Sequence, residues 1–133
     1  AEVGCLVTSM AMITSHYGKT LTPAQIAASS NPFFYNTADM LWTWSGPVQG
    51  VTATRTRVGY NVAALDNELA TGRPAIVRIT AANSVGTHFI VITKKQDGKY
   101  IMKDPYEADG NNISFTDKHS LSQITAVDRV IVQ

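Results

Sequence analysis

Residues 4–18 read GCLVTSMAMITSHYG and hold the single cysteine of the chain, Cys5. Apolar residues recur at helical spacing through this stretch, and Gly18 follows the last of them, as a residue that ends a helix does. The pattern predicts an amphipathic helix with Cys5 in its first turn. A free cysteine is most often a small buried hydrophobic residue, so only its position at the helix start points to a reactive thiol.

The composition is typical of one globular domain. A chain of 133 residues is long enough to bury a core, and no repeat or linker divides it, so we expect a single domain over residues 1–133. The net charge of +1 gives no reason to expect nucleic acid or an anionic membrane as a partner. The apolar runs are too short for a membrane span. Because the sequence begins at Ala1 without methionine, we expect a domain that is processed or cut from something longer, and the oligomeric state stays open.

Turn residues, capping residues and β-branched runs predict the remaining elements. Helices are expected over residues 22–30, which open with a capping box, and over residues 38–42 and 65–71. Strands are expected over residues 54–58, 75–79, 88–93, 100–103 and 127–132. Helices come first and antiparallel strands follow, an order that predicts an α+β fold.

A catalytic thiolate needs a general base, and the chain has three histidines. His16 lies on the helix of Cys5 but eleven residues further on, roughly 16 Å along the axis, which excludes it. His119 lies in a polar segment and is predicted to be solvated. His88 opens an apolar strand after a loop that could form the lip of a cleft, so it is the remaining candidate.

The hairpin after His88 decides whether a carboxylate can orient its ring. If Gln96-Asp97-Gly98 is a three-residue loop, His88 and Asp104 are diagonal neighbours on one face of the sheet, and Asp104 can hold the imidazole. A two-residue Asp-Gly turn would put them on opposite faces. Asp104 could equally be half of a turn-forming Asp-Pro pair.

Three segments together resemble a known family. GCLVTSMAMITSHYG, GRPAIVRI and THFIVITKKQDGKYIMKDP resemble, in order, the cysteine, strand, histidine and aspartate blocks of papain-fold cysteine peptidases of the bacteriocin-leader (double-glycine) peptidase-like group. The resemblance implies a papain-like α+β fold, with N-terminal helices packed on an antiparallel sheet. It also implies thiol-dependent hydrolysis of peptide or amide bonds without a cofactor, with Cys5 as nucleophile, His88 as general base and acid, and Asp104 as the orienting residue. A peptide or protein substrate and a bacterial, extracytoplasmic or secreted location would follow.

The sequence departs from that family in two places. Its members usually carry a glutamine upstream of the cysteine that helps to form the oxyanion hole, and here that position precedes Ala1. Loss of one oxyanion donor typically costs about 10²–10³-fold in rate. Leu6-Val7 stands where many relatives have Gly-Pro. A non-catalytic peptide-binding module of the same fold and a thiol-dependent acyl or amide transferase are therefore the alternatives.

Other kinds of site have weaker support in the sequence. One cysteine and three scattered histidines give no metal-binding motif, so no metal is expected. The glycines are dispersed at turns and form no phosphate-binding loop. Trp42 and Trp44 are predicted to pack in the core or under a lid, with a peptide-binding groove as the alternative.

Overall fold

The computed structural model describes residues 2–80, 87–103 and 111–133. The α-helices in these residues are α1 (Glu2–His16), α2 (Pro23–Ala28) and α3 (Val62–Leu69). The strands are β1 (Ala53–Gly59), β2 (Ala75–Thr80), β3 (Thr87–Gln96), β4 (Lys99–Lys103), β5 (Asn111–Ser114) and β6 (Ile124–Val132). Two short 3₁₀ helices, Phe115–Asp117 and Leu121–Gln123, precede β6. The predicted α+β class is confirmed.

The described strands form one antiparallel sheet in the order β1-β6-β2-β3-β4-β5. One face of the sheet packs against α1, and the other face packs against α3. Side chains of β3 alternate between the two layers: Phe89 and Val91 join the α1 cluster, whereas Ile90 and Ile92 join the α3 cluster. Burial on both faces explains why this strand is an unbroken apolar run.

The helix boundaries near the N-terminus follow the sequence signals. Gly18 has φ +77°, and its N–H donates to the Ser15 carbonyl just beyond the end of α1. Thr22 and Gln25 form the predicted reciprocal capping box at the start of α2. Helix α2 ends at Ala28, slightly earlier than predicted. These contacts fix the direction of α1 and hence the position of its first turn.

The helix predicted over residues 38–42 is absent from the described structure. The segment is extended there and pairs locally, with Phe33 opposite Met40 and Thr43 opposite Thr54. A helix of five residues is too short to repay its own nucleation. Hydrogen bonds to β1, such as the one from the Arg55 N–H to the Trp42 carbonyl, satisfy the backbone instead.

The β3–β4 hairpin differs from the predicted three-residue loop. Gln96 pairs directly with Lys99, and both Asp97 (φ +53°) and Gly98 (φ +76°) are left-handed, so the turn has two residues. A register shift between Ile92 and Lys94 then adds one residue to β3. Beyond this bulge Val91 pairs with Lys103, which is the register that the three-residue loop would have produced. The structure therefore has the alternative two-residue turn, and the bulge restores the register that a three-residue loop would give.

Candidate active site

Cys5 lies in the first turn of α1 and is fully buried. The helix turns its apolar side towards the sheet, so the residues after Cys5, including Leu6, Val7 and Met10, join the same core cluster. The start of a helix carries a partial positive charge and unpaired N–H groups, both of which stabilise a nearby anion. A thiolate at Cys5 would lie within that field.

His88 is the second residue of β3 and pairs with Ile79 of β2. Its Nδ1 atom lies 3.0 Å from Sγ of Cys5, well within the distance for a hydrogen bond to sulfur. Either the thiol donates to an unprotonated Nδ1, or a protonated Nδ1 donates to the thiolate. His88 is only 6% exposed, so this contact is shielded from water. The structure brings two of the three predicted catalytic residues together.

Asp104, the third, lies outside the described residues. The last described pair before it, Val91 with Lys103, has the register from which the sequence analysis places Asp104 near His88.

The other two histidines lie on other elements of the fold, His16 at the end of α1 and His119 just after the 3₁₀ helix Phe115–Asp117. His16 is exposed in the last turn of α1 and meets the ring of Tyr17 edge-on. His119 is half-buried against Phe115, with ring centroids 5.2 Å apart, and is not fully solvated as predicted. Its backbone N–H donates to the Phe115 carbonyl. The 3₁₀ turn therefore folds His119 back onto the sheet.

An arginine-lined cavity of about 300 Å³ is bordered by α1 and by the face of the sheet that packs against it; neither Cys5 nor His88 is among its described lining residues. Its wall includes Leu6 and Val7, which follow Cys5, and Phe89, which follows His88. Trp42 also lines it and is 42% exposed, whereas Trp44 is buried in the core. Trp42 thus fits the interpretation as part of a groove, and Trp44 fits the interpretation as a core residue.

Arg55 and Arg57 form the polar wall of the cavity. Their guanidinium carbons lie 4.1 Å and 5.1 Å from the Trp42 ring centre, and both side chains bond the buried Asp128 carboxylate. Burial lowers the pKa of Arg55, and Asp128 partly offsets that effect. The alternation Thr54-Arg55-Thr56-Arg57 in an extended segment is the sequence signal that could have revealed this wall.

Neither a metal-binding cluster nor a membrane-spanning helix is found in the described residues. No three His, Cys, Asp or Glu side chains in that part of the chain are grouped so that they could share a metal ion. None of its helices combines the length and the apolar character needed to cross a bilayer.

Comparison with known proteins agrees with this geometry. No curated protein sequence matches the chain. The profile of one family, described as the Peptidase_C39 like family, matches residues 1–125 and so includes Cys5, His88 and Asp104. The match indicates a papain-like fold and, at the level of the family, a function of the cysteine-peptidase type. The helices packed on an antiparallel sheet and the cysteine in hydrogen-bond contact with a histidine are consistent with this match. Because the match covers nearly all of its length, the chain belongs to the Peptidase_C39 like family.

Proposed function

We propose that this protein hydrolyses peptide bonds, with Cys5 as the nucleophile, His88 as the general base and acid, and Asp104 as the residue that orients His88. The observation that carries the proposal is the 3.0 Å contact between Sγ of Cys5 and Nδ1 of His88. A cysteine that serves only the core needs no imidazole partner, and burying a polar ring without a function is costly.

The chemistry proceeds in two stages. The thiolate of Cys5 attacks the carbonyl carbon of the scissile bond, and the electron pair of the C=O π bond moves to the carbonyl oxygen. The tetrahedral species collapses as His88 gives its proton to the leaving amine, which leaves a thioester on Cys5. His88 then takes a proton from water, the hydroxide attacks the thioester, and the acid product departs with the thiolate restored.

The first turn of α1 supplies the electrostatic part of this scheme. Both the thiolate and the oxyanion carry negative charge beside the start of a helix, where the dipole and the backbone N–H groups favour anions. Because the pair is buried, these interactions are stronger than they would be in water.

In this scheme the Asp104 carboxylate accepts a hydrogen bond from Nε2 of His88. Nδ1 already faces the sulfur, so a carboxylate at the other nitrogen would fix the ring and stabilise the imidazolium. The register of Val91 with Lys103 supports this assignment, because the same register, if it continued by one residue, would bring Asp104 opposite Ile90.

Burial of Cys5 also bears on how substrate enters. Since the residue has no exposed surface, a carbonyl carbon reaches Sγ only after the atoms above it are displaced. We therefore expect the surroundings of the first turn of α1 to open locally in the folded protein, which gives a peptide or a small reagent access to Sγ.

The test is product analysis by mass spectrometry after incubation with a degenerate peptide library. Wild-type protein is expected to release shorter peptides, and Cys5→Ala and His88→Ala to release none. His16→Ala is the matched control, because His16 is exposed at the far end of α1 and should leave cleavage unchanged. Peptides that bind without being cut would indicate a binding module, and products joined to an added amine would indicate a transferase.

A further inference from the structure

We propose that the arginine-lined cavity binds a carboxylate of the peptide substrate, which makes this protein selective for peptides with an acidic group near the scissile bond. This inference rests on the proposed function, which supplies the peptide as substrate, but the cavity and its charge do not depend on catalysis.

The cavity is positioned to receive part of a peptide held at Cys5. Its lining residues Leu6 and Val7 follow the cysteine directly, and Phe89 follows the histidine. We infer that residues flanking a carbonyl at Sγ reach this space, because Cys5 and part of the cavity wall both belong to the first turns of α1. A volume of about 300 Å³ is at the small end of ligand sites, which suits one side chain or a chain terminus.

The charges of the cavity favour an anion. Arg55, Arg57 and Arg78 line it, and the exposed Asp39 supplies the single carboxylate among its described lining residues. Asp128 is bonded by the first two arginines. Arg78 differs from them, because its guanidinium makes no ion pair within the described part of the chain.

Unused donors in the wall point to the same ligand. Nε of Arg78 and Nε of Arg55 are both buried and have no hydrogen-bond partner in the described structure. Arg55 is 7% exposed, so this donor is costly to leave unpaired. A guanidinium presents several N–H groups in one plane, a geometry that matches the two oxygens of a carboxylate or a phosphate. On an unmodified peptide the matching group is a carboxylate.

Trp42 holds the cationic wall in place. Its ring lies against Arg55 and Arg57, at 4.1 Å and 5.1 Å, while its other surface is open to solvent. Stacking of this kind restricts the guanidinium groups before a ligand arrives, which lowers the entropic cost of binding.

Binding to the Cys5→Ala variant tests the inference without requiring turnover. The probes are dye-labelled, C-terminally amidated peptides of degenerate sequence in which one position at a time is fixed as Glu, Gln or Lys, and fluorescence anisotropy gives Kd. We expect Glu to bind about 10- to 100-fold more tightly than Gln at one position, the range of a charge-assisted hydrogen bond. Adding Arg78→Gln should remove most of this preference, so that the Kd values of the Glu and Gln peptides converge.

Two further measurements show which carboxylate of the peptide binds and whether the effect of Arg78→Gln is specific to the cavity. Gln peptides with a free carboxyl terminus show whether the terminus, and not a side chain, occupies the cavity; preference for either form supports the site. Lys99→Gln removes the same charge at the exposed hairpin turn, away from the cavity lining, and should retain the preference.

The results separate this inference from the proposed function. Equal Kd values for Glu and Gln peptides, a preference that survives Arg78→Gln, or no measurable binding of acidic peptides would overturn the carboxylate site. Any of these can occur while wild-type protein still cleaves peptides. Conversely, an Arg78-dependent preference in a protein that never cleaves peptides would support the carboxylate site and contradict the proposed hydrolase function.

Discussion

The sulfur of Cys5 lies 3.0 Å from Nδ1 of His88, although 83 residues of chain separate them. The contact is a product of the core. Helix α1 packs on β3 through apolar side chains such as Phe89 and Val91, and that packing carries the first turn of the helix to the start of the strand. The reactive pair is thus positioned by the same burial that stabilises the fold.

The first prediction concerns the reactivity of Cys5. At neutral pH only a few per cent of an ordinary thiol is thiolate, and a nearby imidazole raises that fraction by becoming imidazolium. We expect iodoacetamide to alkylate Cys5 faster than free cysteine, and His88→Ala to slow the reaction about tenfold or more. Mass spectrometry at timed intervals measures both rates.

The other histidines supply the controls for this experiment. His16→Ala and His119→Ala should leave the alkylation rate unchanged, with circular dichroism used to confirm that His119→Ala, which loses a contact with Phe115, remains folded. Protection of Cys5 until the protein unfolds would return it to a purely structural role. Equal slowing by His119→Ala would show that the wrong histidine has been assigned.

The second prediction concerns Asp104. Asp104→Asn should preserve the fold while lowering kcat for a cleaved peptide about 10- to 100-fold, which is the lower half of the range up to ~10⁴ known for serine triads. A thiolate–imidazolium pair is already charged, so it depends less on the third residue.

Asp97→Asn is the matched control on the same hairpin. Asn tolerates the left-handed conformation of Asp97 (φ +53°) equally well, and kcat should not change. An Asp104→Asn protein with full activity would exclude the orienting role, and a loss of fold would indicate a structural one.

Sequence reasoning located most of the helices and strands, but it missed β5, predicted a helix over residues 38–42 that is absent from the described structure, and did not foresee the bulge in β3. The Asp97-Gly98 pair is a strong signal for a two-residue turn, and the structure has that turn, which the sequence had left open beside the three-residue loop. The compensating bulge in β3 has no signature of its own in the sequence. It keeps Ile92 and Met102 in one buried cluster, and such packing arises only once β3 and β4 are placed against α3 and its neighbours.

The cavity shows a second limit of sequence reasoning. Alternation in β1 puts Arg55 and Arg57 on one face, but Arg78 comes from β2, and β6 from the far end of the chain lies between the two strands. Asp128 of β6 pairs with the buried Arg55 and with the half-buried Arg57 and so allows the two cations to lie side by side. This strand order is not readable from the spacing of residues.

The third prediction tests the observed turn. Gly98 has φ +76°, a conformation that costs a residue with a side chain about 1–2 kcal/mol. Gly98→Ala should lower the free energy of unfolding by about that amount in urea titrations. Lys99→Ala, one residue further on in an exposed and extended position, should change it by less than about 0.5 kcal/mol. A neutral Gly98→Ala would be incompatible with this turn.

The last prediction concerns Glu68, a buried carboxylate on α3. Arg73 donates to it at 2.9 Å, and Arg129 of β6 donates through two nitrogens at 3.1–3.2 Å. Burial alone would raise the pKa of Glu68, but the hydrogen bonds from Arg129 and Arg73 outweigh it and hold the pKa below its usual range. The carboxylate thus ties the helix to the sheet.

Because the folded state lowers this pKa, ionised Glu68 stabilises the protein above the pKa of an unfolded glutamate, about 4.3, and this contribution is lost as the pH falls through the lower folded value. Glu68→Gln keeps the shape but removes the charge, and should cost about 1–3 kcal/mol in urea unfolding at pH 7. The deficit should shrink in parallel titrations below about pH 4, where wild-type Glu68 becomes protonated as well. Asp117→Asn, at an exposed position with no ion pair in the described structure, should show no comparable deficit at either pH. A Glu68→Gln deficit that stays constant from pH 7 into the acid range would mean that its charge does not stabilise the fold, and that the loss comes from packing.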